Sequence, residues 1–346
     1  MNTRKLIFIG PAGGNGIPKN GASAKNYHLM KFFKEKGINV VTVDTESWKK
    51  NPLILIKLAL LLLFNQKANY IIAANNMSSY RLLQIMYLFP GKRKVIYWII
   101  GGSIADWIKN KKVSKSPYEI VDYFLAEGRK MQNTFAEIGF NNTIYVPNFK
   151  CIDYLPKILK KSNNKVRFVF LSRIIPEKGC NTIIEAVSIL NNKCPDRFLV
   201  DFYGPIEPSY NSDFLNKISS FDNVSYNGFL DLRNQRNYDQ LSEYDVMLFP
   251  TYWHGEGFPG VIIDAYISGL PVIATNWSLN ADIIEDGKTG IILKENSAEA
   301  LANAMFELIN NSKLCQVMSN ASRNAAMNYD IKNVVSNELL NKLGIC

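Results

Sequence analysis

The sequence predicts an α/β protein of two similar domains, each a parallel sheet with helices on both faces. Three observations lead there. Short apolar runs bounded by turn residues alternate with segments of helical spacing. That alternation restarts at Val166, after a stretch rich in Pro and Lys. The length, 346 residues, is too great for one ordinary core and suits two.

In the first half, Leu6–Gly10 reads as a buried strand, followed by Gly13, Gly14, Gly16 and Gly21. Over residues 22–36, Tyr27, Leu29, Met30, Phe32 and Phe33 fall near helical spacing, and Gly37 ends the run. Residues 39–44 form the next strand, which completes the strand, loop, helix, strand unit that a parallel sheet needs. Residues 70–74, 95–100, Tyr123–Ala126 and 143–146 are further strands. In the second half, strands are expected at 167–171, Phe198–Tyr203, 224–227, Val246–Phe249 and 272–274, with helices at 181–191 and 261–268. Pro147, Pro156, clustered lysines and Asn163–Asn164 mark a linker, set at 151–165 between domains of 1–150 and 166–346. Helices from about Ala298 to Leu343 are expected on the second domain, the last of them able to cross back to the first. Leu53–Phe64 is apolar apart from Lys57 and too short to span a bilayer. It reads as a buried helix of the first domain; with Lys49, Lys50 and Lys67 beside it, an interfacial membrane helix is the alternative.

Composition excludes a disordered chain: 47% of residues are hydrophobic and 20% charged. The apolar run after Arg4 and Lys5 is too short for a signal-peptide core, and no stretch approaches the ~20 apolar residues of a membrane span. Five scattered cysteines without a CxxC pair point to reduced thiols and a cytoplasmic protein. Residues 1–165 hold 26 Lys and Arg against 9 Asp and Glu, a balance of +17; the remainder hold 14 against 21, or −7. The basic half could meet anionic lipid, a phosphorylated acceptor or nucleic acid, or be an ordinary solvated surface. No nucleic-acid motif or basic recognition helix accompanies it.

The chemistry concentrates between residues 171 and 264. Pro250 ends a strand, and the loop that follows holds Glu256, Gly257, Phe258 and Gly260 before a helix that carries Asp264. Glycines there let backbone N–H groups approach an anion, and a helix start favours negative charge. Two carboxylates eight positions apart, on loop and helix, can grip separate hydroxyl sets of one elongated ligand. Leu171-Ser-Arg-Ile-Ile-Pro-Glu-Lys-Gly179 places Arg173 and Lys178 around a turn at the end of a parallel strand, where such sheets bind ligands. A guanidinium fork with a mobile ammonium suits a diphosphate.

In these residues the second half resembles retaining glycosyltransferases of the GT-B fold, specifically glycosyltransferase family 4. The family's Glu-x7-Glu signature stands here as Glu256 and Asp264, so the second carboxylate is one methylene shorter. The resemblance implies two Rossmann-like domains facing each other across a cleft. It further implies that Arg173 and Lys178 hold the diphosphate of a nucleotide-sugar donor, Glu256 its hexose and Asp264 its ribose. Gly204 and Gly228, within Tyr203-Gly-Pro205 and Asn227-Gly-Phe229, match segments that frame the base. The Gly-rich loop, with Gly14, Gly16 and Gly21, resembles a loop that approaches donor phosphate and acceptor. Many family members place a His where this chain reads Ile100-Gly-Gly-Ser103, so Gly102 and Ser103 occupy that place. His28 reads as a packing residue, and His254 as a loop residue near the chemistry.

No Asp-x-Asp or Cys/His ligand set is visible, so no metal or other cofactor is expected. The expected activity is hexosyl transfer to a glycan or lipid-linked glycan in bacterial surface polysaccharide assembly. It would take place in the cytoplasm, against the inner face of the plasma membrane. A nucleotide-sugar epimerase or inverting transferase of the same fold, and a non-catalytic binding module, are the competing readings.

Overall fold

A computed structural model describes residues 4–12, 21–46, 48, 51, 53–89, 91–158 and 165–345. The chain divides into two compact units, one of Met1–Cys151 with Tyr329–Cys346, the other of Ile152–Asn328.

The first unit runs β1 (Leu6–Gly10), α1 (Gly21–Glu35), β2 (Val40–Asp44), α2 (Leu53–Phe64), β3 (Asn69–Ile72), α3 (Asn76–Leu88), β4 (Lys94–Trp98), α4 (Ile104–Lys109), β5 (Tyr123–Ala126), α5 (Arg129–Glu137) and β6 (Thr143–Tyr145). Its six strands are parallel in the order β2-β1-β3-β4-β5-β6. Successive strand residues point to opposite faces. Leu6, Phe8, Ile71, Trp98 and Leu125 therefore pack on one side against Leu29, Phe32 and Phe33 of α1. Ile7, Ile9, Tyr70, Ile72, Tyr97 and Phe124 pack on the other, against Leu83 and Met86 of α3 and Phe135 of α5. Burial on both sides is why these strands read as unbroken apolar runs.

The second unit runs β7 (Val166–Leu171), α6 (Cys180–Lys193), β8 (Phe198–Tyr203), α7 (Asn211–Ile218), β9 (Val224–Tyr226), α8 (Tyr238–Leu241), β10 (Val246–Phe249), α9 (Gly260–Ile267), β11 (Val272–Thr275), α10 (Asn280–Ile283), β12 (Gly290–Leu293), α11 (Ala298–Asn310) and α12 (Ser312–Ala326). Its strands are again all parallel, in the order β12-β11-β10-β7-β8-β9. Strand β12 was not expected from sequence. Gly290 admits it, since a Cβ there would lie 2.0 Å from the Val272 carbonyl oxygen.

Three expectations change. Residues 329–345, with α13 (Ile331–Val334) and α14 (Asn337–Leu343), belong to the first unit: the last helix does cross back, as the sequence allowed, but the crossing starts already at Tyr329. Lys150 N–H donates to the Tyr329 carbonyl at 3.0 Å and Ile331 N–H to Lys150 at 2.8 Å, while Leu339, Leu340 and Leu343 complete the face that α1 begins. Most of the expected linker is structure of the second unit: Tyr154 donates to Asp239 at 2.5 Å, and Arg323 to the Pro156 carbonyl at 2.6 Å. Residues 159–164 lie outside the described residues. Finally, α2 is not buried. Leu58 and Leu62 are buried and Ile54 and Leu61 partly so, whereas Leu53, Ile56, Leu60, Leu63 and Phe64 are exposed, Phe64 at 80%. A twelve-residue helix with apolar side chains all round can cover the sheet with only one stripe.

Glycine is required where strands crowd at the sheet centre. A Cβ on Gly10 would lie 2.2 Å from the Ala73 carbonyl oxygen, just past the neighbouring strand β3, whereas one on Gly21 meets nothing within 4 Å. Gly10→Ala should therefore cost about 1–3 kcal/mol, the usual range for overpacking, and lower the melting temperature by several degrees. Gly21→Ala should melt like the parent protein; calorimetric melting of both variants checks the pair.

Candidate nucleotide-sugar site

In the second sheet the chain departs from β7 toward β8 on one side and returns through β10 on the other. The crevice at the C-terminal ends of β7 and β10 is a topological switch point, where open α/β sheets take ligands. The expected donor residues gather there. After β7 the chain enters a single 3-10 turn, Pro176–Lys178, and leaves it through Gly179 at φ 84°. A Cβ on Gly179 would lie 2.3 Å from the Pro250 carbonyl oxygen, so only glycine lets the two exit loops lie together. Tyr252 N–H donates to the Glu177 carbonyl at 2.8 Å and fastens them.

This fastening brings Lys178 and Glu256, 78 residues apart, into a nearly buried ion pair. Their side chains are 8% and 11% exposed. Thr251 donates to the same Glu256 oxygen at 3.2 Å, and the Lys178 ammonium lies 5.5 Å from the Phe249 ring centre. Arg173 is exposed, its guanidinium carbon 5.1 Å from the ring centre of Trp253, and it has no ion-pair partner among the described residues. Three bonds from the end of β11 and the segment after it hold the loop that carries Glu256. Thr275 donates to the Thr251 carbonyl at 2.5 Å, Trp277 Nε1 to Trp253 at 2.8 Å, and Ser278 to the Glu256 carbonyl at 2.8 Å.

Gly257 lies on the same loop, and its carbonyl also accepts from Ser278, at 3.3 Å. Phe258 is buried at 6% exposure, so only its backbone can face a ligand. Gly260 opens α9, whose first N–H groups have no intrahelical partner. Asp264 sits about one turn along that helix, 6% exposed, and its Oδ1 accepts from the Tyr238 hydroxyl at 2.5 Å. Burial, and then the carboxylate beside it, push the Tyr238 phenol well above the ordinary tyrosine range. Asp264 is thus engaged within the protein rather than standing as an open clamp. Gly204 and Gly228 adjoin the crevice on the β8 side: Gly204 N–H donates to the Gly228 carbonyl at 2.8 Å. A Cβ on Gly204 would lie 1.7 Å from the Ser172 carbonyl oxygen. His254 is exposed, edge-on to Trp277 at 5.5 Å.

In the first unit Gly14 and Gly16 lie outside the described residues, and Gly21 opens α1. Gly102 and Ser103 follow β4, which β3 separates from β1, and Ser103 Oγ accepts from Asn76 at 3.0 Å. His28 packs as expected, its Nδ1 accepting from Cys151 N–H at 3.4 Å. No group of three or more His, Cys, Asp or Glu side chains is placed to hold a metal ion among the described residues.

Sequence reasoning missed Thr251, Trp253 and Tyr238. Thr251 and Trp253 stand within the motif that was read, five and three positions before Glu256. Tyr238 is distant in sequence, and nothing there marks it as a partner of Asp264.

Comparisons with known proteins bear on the family and the fold. The family model described as glycosyl transferases group 1 matches residues 152–325, the segment that holds every residue of the crevice. The capsular polysaccharide biosynthesis glycosyltransferase CapM of Staphylococcus aureus is 25% identical over 236 residues, 64% of this chain and 57% of its own length. An Escherichia coli UDP-Gal:alpha-D-GlcNAc-diphosphoundecaprenol alpha-1,3-galactosyltransferase is 26% identical over 191 residues, 53% of this chain and 46% of its own. The chain thus spans about half the length of these curated relatives. Among solved structures, Anabaena HepE in complex with UDP and glucose superposes with a TM-score of 0.68 at 15% identity, covering 98% of both chains. That likeness is one of fold, two Rossmann-like α/β units of GT-B type. With half of its residues matched by the family model, the chain belongs to the glycosyl transferases group 1 family.

Proposed function

We propose that the protein moves a hexosyl group from a nucleoside-diphosphate sugar to an acceptor hydroxyl, with retention at the anomeric carbon, during assembly of a bacterial surface polysaccharide. The observation that carries this reading is the convergence of Arg173, Lys178 and Glu256 at the β7/β10 crevice. As the glycosidic bond breaks, negative charge grows on the departing diphosphate, and two fixed cations stabilise it without a metal ion. The incoming diphosphate takes over Lys178, which frees Glu256 to accept hydrogen bonds from the hexose. The ribose hydroxyls meet Asp264 beside Tyr238. The acceptor oxygen bonds to the anomeric carbon, and its proton passes to the leaving phosphate oxygen, so no separate general base is required. The acceptor is a glycan or lipid-linked glycan, in keeping with what the names of CapM and the E. coli galactosyltransferase state of those proteins.

Arg173→Ala should leave the fold intact and lower turnover by at least ~100-fold, the scale of losing one transition-state charge partner. Lys178→Ala should do the same, with thermal melting run alongside because it strands Glu256. Near-normal turnover in both variants would remove the diphosphate grip from this account. Activity should also survive EDTA; loss on chelation and recovery with manganese or magnesium would transfer the neutralising role to a metal.

The basic first unit rests on the inner face of the plasma membrane through α2. No helix among the described residues is long and apolar enough to cross a bilayer. The exposed Leu53, Ile56, Leu60 and Phe64 can enter the interface beside Lys57. Each basic side chain near an anionic surface contributes ~1 kcal/mol, within a Debye length of ~8 Å. Sedimentation with anionic vesicles should recover the protein, less so in high salt, and neutral vesicles should recover little. Equal recovery with both would leave the lysines as ordinary surface.

A further inference from the structure

The first sheet has a switch point of its own, between β1 and β3, since the chain goes from β1 out to β2 and then back past it. A cavity of about 630 Å³ opens there, at the C-terminal ends of β1, β2 and β3 and between α2 and α3. That volume is within the ~300–1,000 Å³ of small-molecule sites. Its lining is unlike that of the β7/β10 crevice. Val43, Ile54, Leu58, Leu82 and Ile85 make an apolar wall, with Trp48 beside them. Two charged side chains share the lining. Arg81 is exposed and has no acidic partner among the described residues. Glu46 has both carboxylate oxygens buried with no hydrogen-bond partner among the described residues. A buried carboxylate without a donor calls for hydroxyl or N–H groups from a ligand.

We propose that this cavity binds an amphiphile. One apolar chain would lie between α2 and α3, an attached phosphate or diphosphate against Arg81, and polar hydroxyls at Glu46. Taking that amphiphile as the acceptor rests on the glycosyltransferase reading; the site itself does not. A nucleotide sugar has no apolar chain to fill such a wall, and a bare phosphate would leave it wet. A ligand with both parts satisfies the wall, the free cation and the orphaned carboxylate together.

The test uses the whole protein, with farnesyl diphosphate as probe and UDP as a reporter of the other unit. Calorimetry should show one farnesyl diphosphate bound per chain, at least tenfold tighter than inorganic pyrophosphate. Trp48 fluorescence should change on binding, and a Trp48→Phe variant should lose that change. Excess UDP should not displace the probe. Ser78→Trp, which fills the cavity from α3, should weaken the probe at least tenfold and leave UDP binding unchanged. Leu55→Asp, at a half-exposed wall position, gives a second route if Ser78→Trp misfolds. Arg81→Gln should weaken farnesyl diphosphate about tenfold and leave farnesol unaffected.

Equal affinity for pyrophosphate, displacement by UDP, or indifference to both cavity variants would overturn the proposal. So would binding to vesicles with no saturable binding of the probe, which would assign this face to the bilayer instead. Loss of UDP binding in the parent protein, with the probe still bound, would sink the donor reading and leave the cavity standing. The reverse pattern would sink the cavity alone.

Discussion

In a parallel sheet with right-handed crossovers, the chain must leave one strand pair in opposite directions, and the loops there part instead of packing together. Both units obey this constraint, and the chemistry of each follows from it. At β7/β10 the parted loops are drawn back into contact only where glycine allows. Gly179 passes under the Pro250 carbonyl, and Gly204 under that of Ser172. At β1/β3, Gly10 lies against Ala73 in the same way, and Asn26 bridges the gap by donating to Pro11 and Ala73, each at 2.8 Å. The same topology yields a charged crevice in one unit and an apolar cavity in the other. The difference lies in the loops and flanking helices, not in the sheets.

The charge at β7/β10 is self-contained before any ligand arrives. Lys178 and Glu256 leave water together, and each offsets the desolvation of the other. A ligand with an anion at one end and hydroxyls at the other can separate them without stranding either. A ligand with only one of these parts leaves a nearly buried charge unpaired. On the proposed reading, the ion pair itself favours an elongated polar ligand, in addition to the shape of the crevice.

The strands were legible because burial on both faces leaves an unbroken apolar run: Tyr123–Ala126, Phe198–Tyr203 and Val246–Phe249 end where the sequence says. That Arg173, Lys178, Glu256 and Asp264 lie on the segments following β7 and β10 was legible, because these polar residues stand in the loops and the helix after apolar strands. Their pairing was not. Residue type marks Lys178 and Glu256 each as a ligand contact, and nothing local says that they meet, nor that Tyr238 reaches Asp264. Helix α14 shows the same limit. Leu339, Leu340 and Leu343 announce an apolar stripe, while the sheet that it covers is decided by a contact partner some three hundred residues away. The exposed stripe of α2 has the opposite cause. An all-apolar sequence reads as core, and the sheet had room for only one side of it.

Both ends of the chain belong to one unit, which makes the other an insertion within it. During synthesis the sheet of β1–β6 emerges before the second unit, but the leucines of α14 that cover one of its faces are made after it. At ~5–20 residues per second, the intervening 152–328 segment takes roughly 10–35 s to translate. Through that interval Leu6, Phe8, Ile71 and Leu125 are covered on their side by α1 and by Val146, Phe149 and Cys151, without the α14 leucines. The sheet made before the second unit is therefore closed only after it. Its nascent state carries an apolar face that a chaperone could hold, and that a truncation near the C-terminus would leave open for good.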